Sequence, residues 1–109
     1  MGAFAQGARG VVAAGMPMEL GGVYEGGETM LREVWGPVFG VLDTRPVPDE
    51  YIEAADGRIV VVGRYTGSAR KTGRRHDAAF VHILSFAGGG IIELVQVTDT
   101  ARWHEALAD

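Results

Sequence analysis

The chain contains no cysteine. That excludes disulfides, thiol nucleophiles and cysteine-ligated zinc, and it is compatible with a reducing compartment. Basic residues are not in excess: 10 Lys and Arg stand against 14 Asp and Glu, a formal net charge of -4. A dedicated nucleic-acid binder needs a basic face for phosphate contacts, so no nucleic-acid partner is expected. No apolar run reaches the roughly 20 residues that span a bilayer, and no membrane partner is expected either. The opening MGAFAQGARGVVAAGMPM is a poor secretory leader, with one Arg and an apolar stretch broken by Gly. A cytoplasmic location follows as the expectation. The 3 histidines match no zinc spacing and no His-Glu-x-x-His occurs, so no metal site is expected.

Glycine, by contrast, is abundant, with 17 residues spread along the chain, which signals many turns and close backbone approaches. The 109 residues, 47% of them hydrophobic, suit a single domain over residues 1–109 with one core. Residues 1–10 read as irregular and Val11–Ala14 as a short edge strand. Met30, Leu31, Val34, Trp35 and Val38 recur at helical spacing, which predicts a helix from about residue 27 to 36, ended by Gly36-Pro37. Pro46 and Pro48 restrict residues 41–48 to an edge or irregular strand. Asp56-Gly57 is a hairpin signal. Long strands then follow at about 58–66, 76–86 and 90–98. Asp99 or Thr100 can cap a final helix that offers Trp103 and Leu107 to the core.

Alternation within these strands assigns faces. Ile59, Val61, Gly63 and Tyr65 oppose Val60, Val62 and Arg64. Asp77, Ala79, Val81 and Ile83 oppose His76, Phe80, His82 and Leu84. Leu94, Gln96 and Thr98 oppose Glu93, Val95 and Val97. Both faces are partly apolar, so both call for cover. Val60, Val62, Phe80, Leu84, Val95 and Val97 read as an outward patch suited to a homodimer.

Several segments together resemble a known family. They are Val62-Gly63-Arg64-Tyr65-Thr66-Gly67, Lys71-Thr72-Gly73, Phe80-Val81-His82 and Gln96-Val97-Thr98-Asp99-Thr100. Gly22-Val23-Tyr24-Glu25-Gly26 and Val47-Pro48-Asp49-Glu50-Tyr51 fit as well. The resemblance is to the SnoaL-like, ketosteroid isomerase-like branch of the nuclear-transport-factor-2-like superfamily, and it covers about residues 10–107. It implies an α+β fold: a cone-shaped, curved antiparallel sheet wrapped around helices, with the family's N-terminal helix shortened or missing. It also implies an apolar cavity, and a homodimer through the convex sheet face. Met30, Val34, Val61, Gly63, Val81, Ile83, Leu94 and Thr98 are then expected to line the cavity.

The family's catalytic carboxylates do not carry over: Met16-Pro17-Met18, Val81 and Gln96 stand at their places. Three other residues are therefore the catalytic candidates. Asp77 would be the acid/base if it faces inward, against the alternative of a solvated strand end. Tyr65 would polarise a carbonyl, or sit at the rim with its hydroxyl in water. Gln96 would orient a ligand oxygen, or be a buried amide satisfied by Tyr65 or by backbone. His82 reads as an interface or core histidine. The basic stretch Arg70–Arg75 reads as a solvated hairpin tip, or as an anion-attracting loop. The resulting expectation is a cofactor-free cyclase, isomerase or hydratase. It would act on an apolar, carbonyl-bearing small molecule by proton transfer. The alternative is a non-catalytic ligand- or partner-binding module.

Overall fold

Residues 4–109 are described by a computed structural model. Its six strands form one sheet of order β2-β1-β6-β5-β4-β3. They are β1 (Phe4–Val12), β2 (Gly22–Glu25), β3 (Leu42–Glu53), β4 (Ile59–Ala69), β5 (Arg75–Ala87) and β6 (Gly90–Thr98). All neighbours run antiparallel except β1 and β6, which are parallel. The class is α+β, a curved open sheet with few helices.

The three long strands fall where alternation put them, and β3, with Pro46 and Pro48, is an edge strand. Proline lacks the donor a central strand needs, so the edge is where it fits. The N-terminal expectation is corrected. Phe4–Val12 is not irregular but an inner strand between β2 and β6, while residues 1–3 lie outside the described part. Its Gly10 looks like a strand breaker in the sequence, yet a Cβ there would collide with the Met30 sulfur. The bare backbone is what lets the helical segment lie against the strand.

That helical segment is the second correction. It does not end at Gly36-Pro37 but continues through α1 (Gly27–Met30), a wide π turn (Leu31–Trp35) and α2 (Gly36–Val41). A proline inside an α-helix clashes with the carbonyl four residues earlier. Here the Gly36 N–H reaches the Leu31 carbonyl, five residues back, and the widened turn admits the ring. Two stripes result. Met30, Val34 and Val38 are buried in the core, whereas Leu31 and Phe39 are exposed.

α3 (Thr100–Leu107) seats Trp103, fully buried, on the inner face of β4 and β5. The Trp103 indole N–H donates to Thr98 Oγ1 at 3.0 Å, and that hydroxyl donates to the Ala79 carbonyl at 2.7 Å. Trp103 packs edge-on against Tyr65 and His76, with centroids at 5.0 and 4.4 Å. Leu42, Phe80, Ala78 and Ala106 complete this end of the core. The narrow end of the cone is therefore filled.

The basic hairpin also has a structural role. Arg70 Nε donates to the Phe39 carbonyl at 2.7 Å near the end of α2, and Arg74 donates to the Glu105 carbonyl at 3.2 Å in the last turn of α3. Cationic side chains satisfy unpaired carbonyls at helix C-termini and favour the dipole there.

Candidate functional site

The cavity lies at the wide end of the sheet's concave face and has a volume of about 280 Å³. Its floor is Tyr65, His82 and Leu94, and its wall is the helical stripe of Leu31, Trp35 and Phe39. Phe4 borders it on the β1 side and Thr44, Arg45 and Pro46 on the β3 side. Trp35 and Phe39 stack with centroids 6.2 Å apart and planes 28° apart, and Trp35 stands 6.1 Å from Tyr65. The exposure of Leu31 and Phe39 on a water-facing helix is thus the exposure of a cavity wall.

The strand register decides which side chains share this face. In an antiparallel pair, directly opposed residues point the same way. Tyr65 opposes Ala78, Gly63 opposes Phe80 and Val61 opposes His82. Across the next pair, His82 opposes Gln96 and Leu84 opposes Leu94. The concave face of β5 therefore carries His76, Ala78, Phe80, His82 and Leu84. Asp77, Val81 and Ile83 point to the convex side, contrary to the expected face. Asp77 there accepts from Arg64 at 2.9 Å and from Arg75 at 3.3 Å. The Arg64 hydrogen bond, aided by the positive charges around it, holds its carboxyl below the usual carboxylate range. It is an ion-paired surface group, not a base in the cavity.

Of the other expected lining residues, Leu94 reaches the cavity. Met30, Val34 and Val61 are inside but belong to the packed core. Gly63 lies under the Phe80 ring and the β3 backbone, which a Cβ would strike. Thr98 anchors Trp103.

Tyr65 and Gln96 do come together, and His82 joins them. The Ala13 N–H donates to Gln96 Oε1 at 3.1 Å, which fixes the amide's orientation. Gln96 Nε2 then donates to the Tyr65 hydroxyl oxygen at 3.0 Å. The Tyr65 hydroxyl oxygen in turn lies 2.6 Å from His82 Nε2, within hydrogen-bond distance. Tyr65 is 1% exposed and Gln96 3%, so water cannot replace either partner. Burial pushes the Tyr65 hydroxyl far above its ordinary value, so it stays protonated. Burial also pulls His82 down to about 4, so its imidazole is neutral at physiological pH. The ring stacks on Phe80 with centroids 4.2 Å apart. His82 was the residue sequence alternation missed. Its signal was there in Phe80-Val81-His82, but on the wrong face.

A second buried histidine lies deeper. The fully buried His76 donates from Nδ1 to Thr44 Oγ1 at 2.7 Å, and the Thr44 hydroxyl donates to the Thr66 carbonyl at 3.2 Å. Among the described residues its Nε2 has no hydrogen-bond partner, and burial holds the ring below its ordinary pKa against the pull of the Asp77 charge. Among the described residues no cluster of three or more histidines and carboxylates is placed to hold a metal ion. No helix among them is long and apolar enough to cross a membrane.

No family model and no curated protein matches the sequence, but solved structures do. The chain is 30% identical to a nuclear-transport-factor-2-like protein of unknown function from Burkholderia pseudomallei, with TM-score 0.84 over 98% of this chain and 81% of that one. A nuclear-transport-factor-2-like protein of Burkholderia thailandensis superposes with TM-score 0.86 at 26% identity, over the same shares of the two chains. TerC, crystallised with polyporic acid, is 29% identical with TM-score 0.81, over 95% of this chain and 79% of that one. SnoaL-like polyketide cyclase and ketosteroid isomerase-like structures share the fold. A curved six-stranded sheet, an aromatic-walled cavity on its concave side and this degree of identity agree: the chain belongs to the nuclear-transport-factor-2-like family.

Proposed function

We propose that this chain binds an apolar, carbonyl-bearing small molecule in the concave cavity, with the carbonyl oxygen at the His82 ring that Tyr65 holds in place. The carrying observation is a cavity whose wall is Leu31, Trp35 and Phe39 and whose floor holds one hydrogen-bonded polar pair. Apolar lining with a few placed polar groups is the usual form of a small-molecule site. TerC, crystallised with polyporic acid, supports a small organic ligand. The test is an NMR titration with 1-tetralone, a small bicyclic ketone. Saturable shifts are expected at the Trp35 indole and the His82 ring. Shifts confined to other surfaces would remove the reading.

Catalysis is the second reading, favoured by a neutral histidine wired to a buried tyrosine on the cavity floor. Donors aimed at a carbonyl stabilise the oxyanion that forms when a neighbouring carbon loses a proton. Among the described residues no carboxylate lines the cavity, and on this reading the proton leaves to water through the open mouth, without a cofactor. Deuterium exchange at the carbon beside the tetralone carbonyl separates the two. An enzyme raises the rate above buffer and loses the increase in Tyr65→Phe, whereas a binding module gives saturable binding with no increase.

The convex face supports a homodimer. Ile52, Val60, Ile83, Val95, Val11 and Val23 are successive register partners and form one apolar row across all six strands. Val62, Val81 and Val97 form a second row beside it. Phe80 and Leu84, expected in this patch, lie on the other face. A contiguous apolar surface of this kind marks an association site. Sedimentation is expected to show a dimer in the wild type and a monomer in Val97→Arg. A wild type that stays monomeric at high concentration would refute the dimer.

A further inference from the structure

The hydrogen-bond chain on the cavity floor has a direction, and that direction sets what His82 offers a ligand. The sequence of donors begins at a backbone N–H, which can only donate. Ala13 donates to Gln96 Oε1, so the Gln96 amide must present its NH₂ to Tyr65. The Tyr65 oxygen, already accepting, is left with its own proton to give, and His82 Nε2 is the acceptor in reach. An Nε2 that accepts carries no proton, and a neutral imidazole then holds its proton on Nδ1. Among the described residues Nδ1 makes no hydrogen bond, and it is not sealed from its surroundings. The ring to which it belongs lines the cavity.

We infer that His82 is held in the Nδ1–H tautomer by the Gln96–Tyr65 chain and gives the cavity a fixed donor. The site then selects flat, ring-containing compounds through a carbonyl, quinone or enolate oxygen, an acceptor that carries no proton. Gln96 is on this account a positioning residue, acting on the ligand through Tyr65 and His82. The flatness comes from the stacked Trp35 and Phe39 rings on the wall. The inference rests on the cavity reading above and adds to it the polarity of the recognition group. A compound of the same shape without the oxygen leaves the donor unpaired, and sites built around a hydrogen bond reject such analogues.

Two measurements on the full chain test it. The first needs no ligand: long-range proton–nitrogen correlation spectra of the ¹⁵N-labelled protein at pH 7. His82 is expected to show a bare Nε2 and a protonated Nδ1, and Gln96→Leu, with its fold checked by circular dichroism, to show a mixture of tautomers. A protonated Nε2 in the wild type overturns the inference. An unchanged His82 signature in a folded Gln96→Leu overturns the positioning role. The second compares 1-tetralone with tetralin, its hydrocarbon counterpart, by titration against the Trp35 indole signal. The ketone is expected to bind about ten-fold tighter. Equal affinities overturn the donor while leaving the cavity standing, and no response at Trp35 to either compound removes the cavity reading itself.

Discussion

The link between Tyr65 and Gln96 can be measured by a double-mutant cycle. Tyr65→Phe keeps the ring, with its contacts to Phe80 at 4.7 Å and Trp103 at 5.0 Å, and removes only the hydroxyl. The Gln96 amide then loses its acceptor at a site 3% exposed, and a buried donor left without a partner costs about 2 kcal/mol. Gln96→Leu is close in volume and strands a different group, the Ala13 N–H, for about 2 kcal/mol again. The double variant no longer strands the Gln96 amide, so its cost is expected to fall about 2 kcal/mol short of the sum. Each variant stays within the stability of an ordinary domain. Urea unfolding followed by circular dichroism reads the cycle, with unchanged m-values showing that the unfolded states are comparable. Additivity within about 0.4 kcal/mol would refute the hydrogen-bonded chain, and with it the argument for the His82 tautomer.

Acid should destabilise the protein in a defined window. His82 is depressed to about 4 and His76 is depressed as well, both by burial, so the unfolded chain takes up protons first as pH falls. Stability is then complete above about 6.5 and declines toward 4, with His82 contributing about 3 kcal/mol of the loss. Urea midpoints at pH 7 and 4.5 check this, and equal midpoints would contradict it. Gly63→Ala places a methyl group against the Val47 carbonyl, Pro48 and the Phe80 ring. A loss of about 2 kcal/mol is expected, and a neutral result in thermal unfolding would mean β3 does not press on β4 there. Asp77→Asn lies on the far side of the sheet from the cavity, so tetralone affinity should be unchanged, and a weakened titration would show that the faces are assigned wrongly.

Much of the fold was written in the strands. The period of two, the prolines of the edge strand and the Asp56-Gly57 turn all act locally, and local signals survive without tertiary information. The faces of β5 did not, because they depend on counting across turns. Ala87 pairs with Gly90 as a two-residue Gly88-Gly89 turn requires, and that count alone would set His82 opposite Val95. A register shift just beyond the turn, between Ser85 and Phe86, moves the pairing by one residue and brings His82 opposite Gln96 instead. One extra residue in a strand reverses every side chain beyond it. The same parity error carried Asp77, Val81 and Ile83 inward and His82 outward. The helix boundary failed for a related reason: Gly36-Pro37 reads as a stop unless the preceding turn widens, and nothing in residue type announces the widening. Phe4–Val12 was missed because its glycines argue against a strand until Met30 is seen lying on Gly10.

That widened turn also keeps the aromatic wall in line. Residues spaced by four overshoot a full revolution by about 40° in an ordinary α-helix, so three of them in succession wind away from any flat surface. One slower turn between Leu31 and Trp35 takes back most of that drift, and Phe39 stays above the sheet beside them. At the regular pitch throughout, the same residues would set Phe39 about 80° from Leu31 and out of alignment. The cavity's shape is therefore sensitive to the pitch of this helix in a way that no substitution of its lining would reveal.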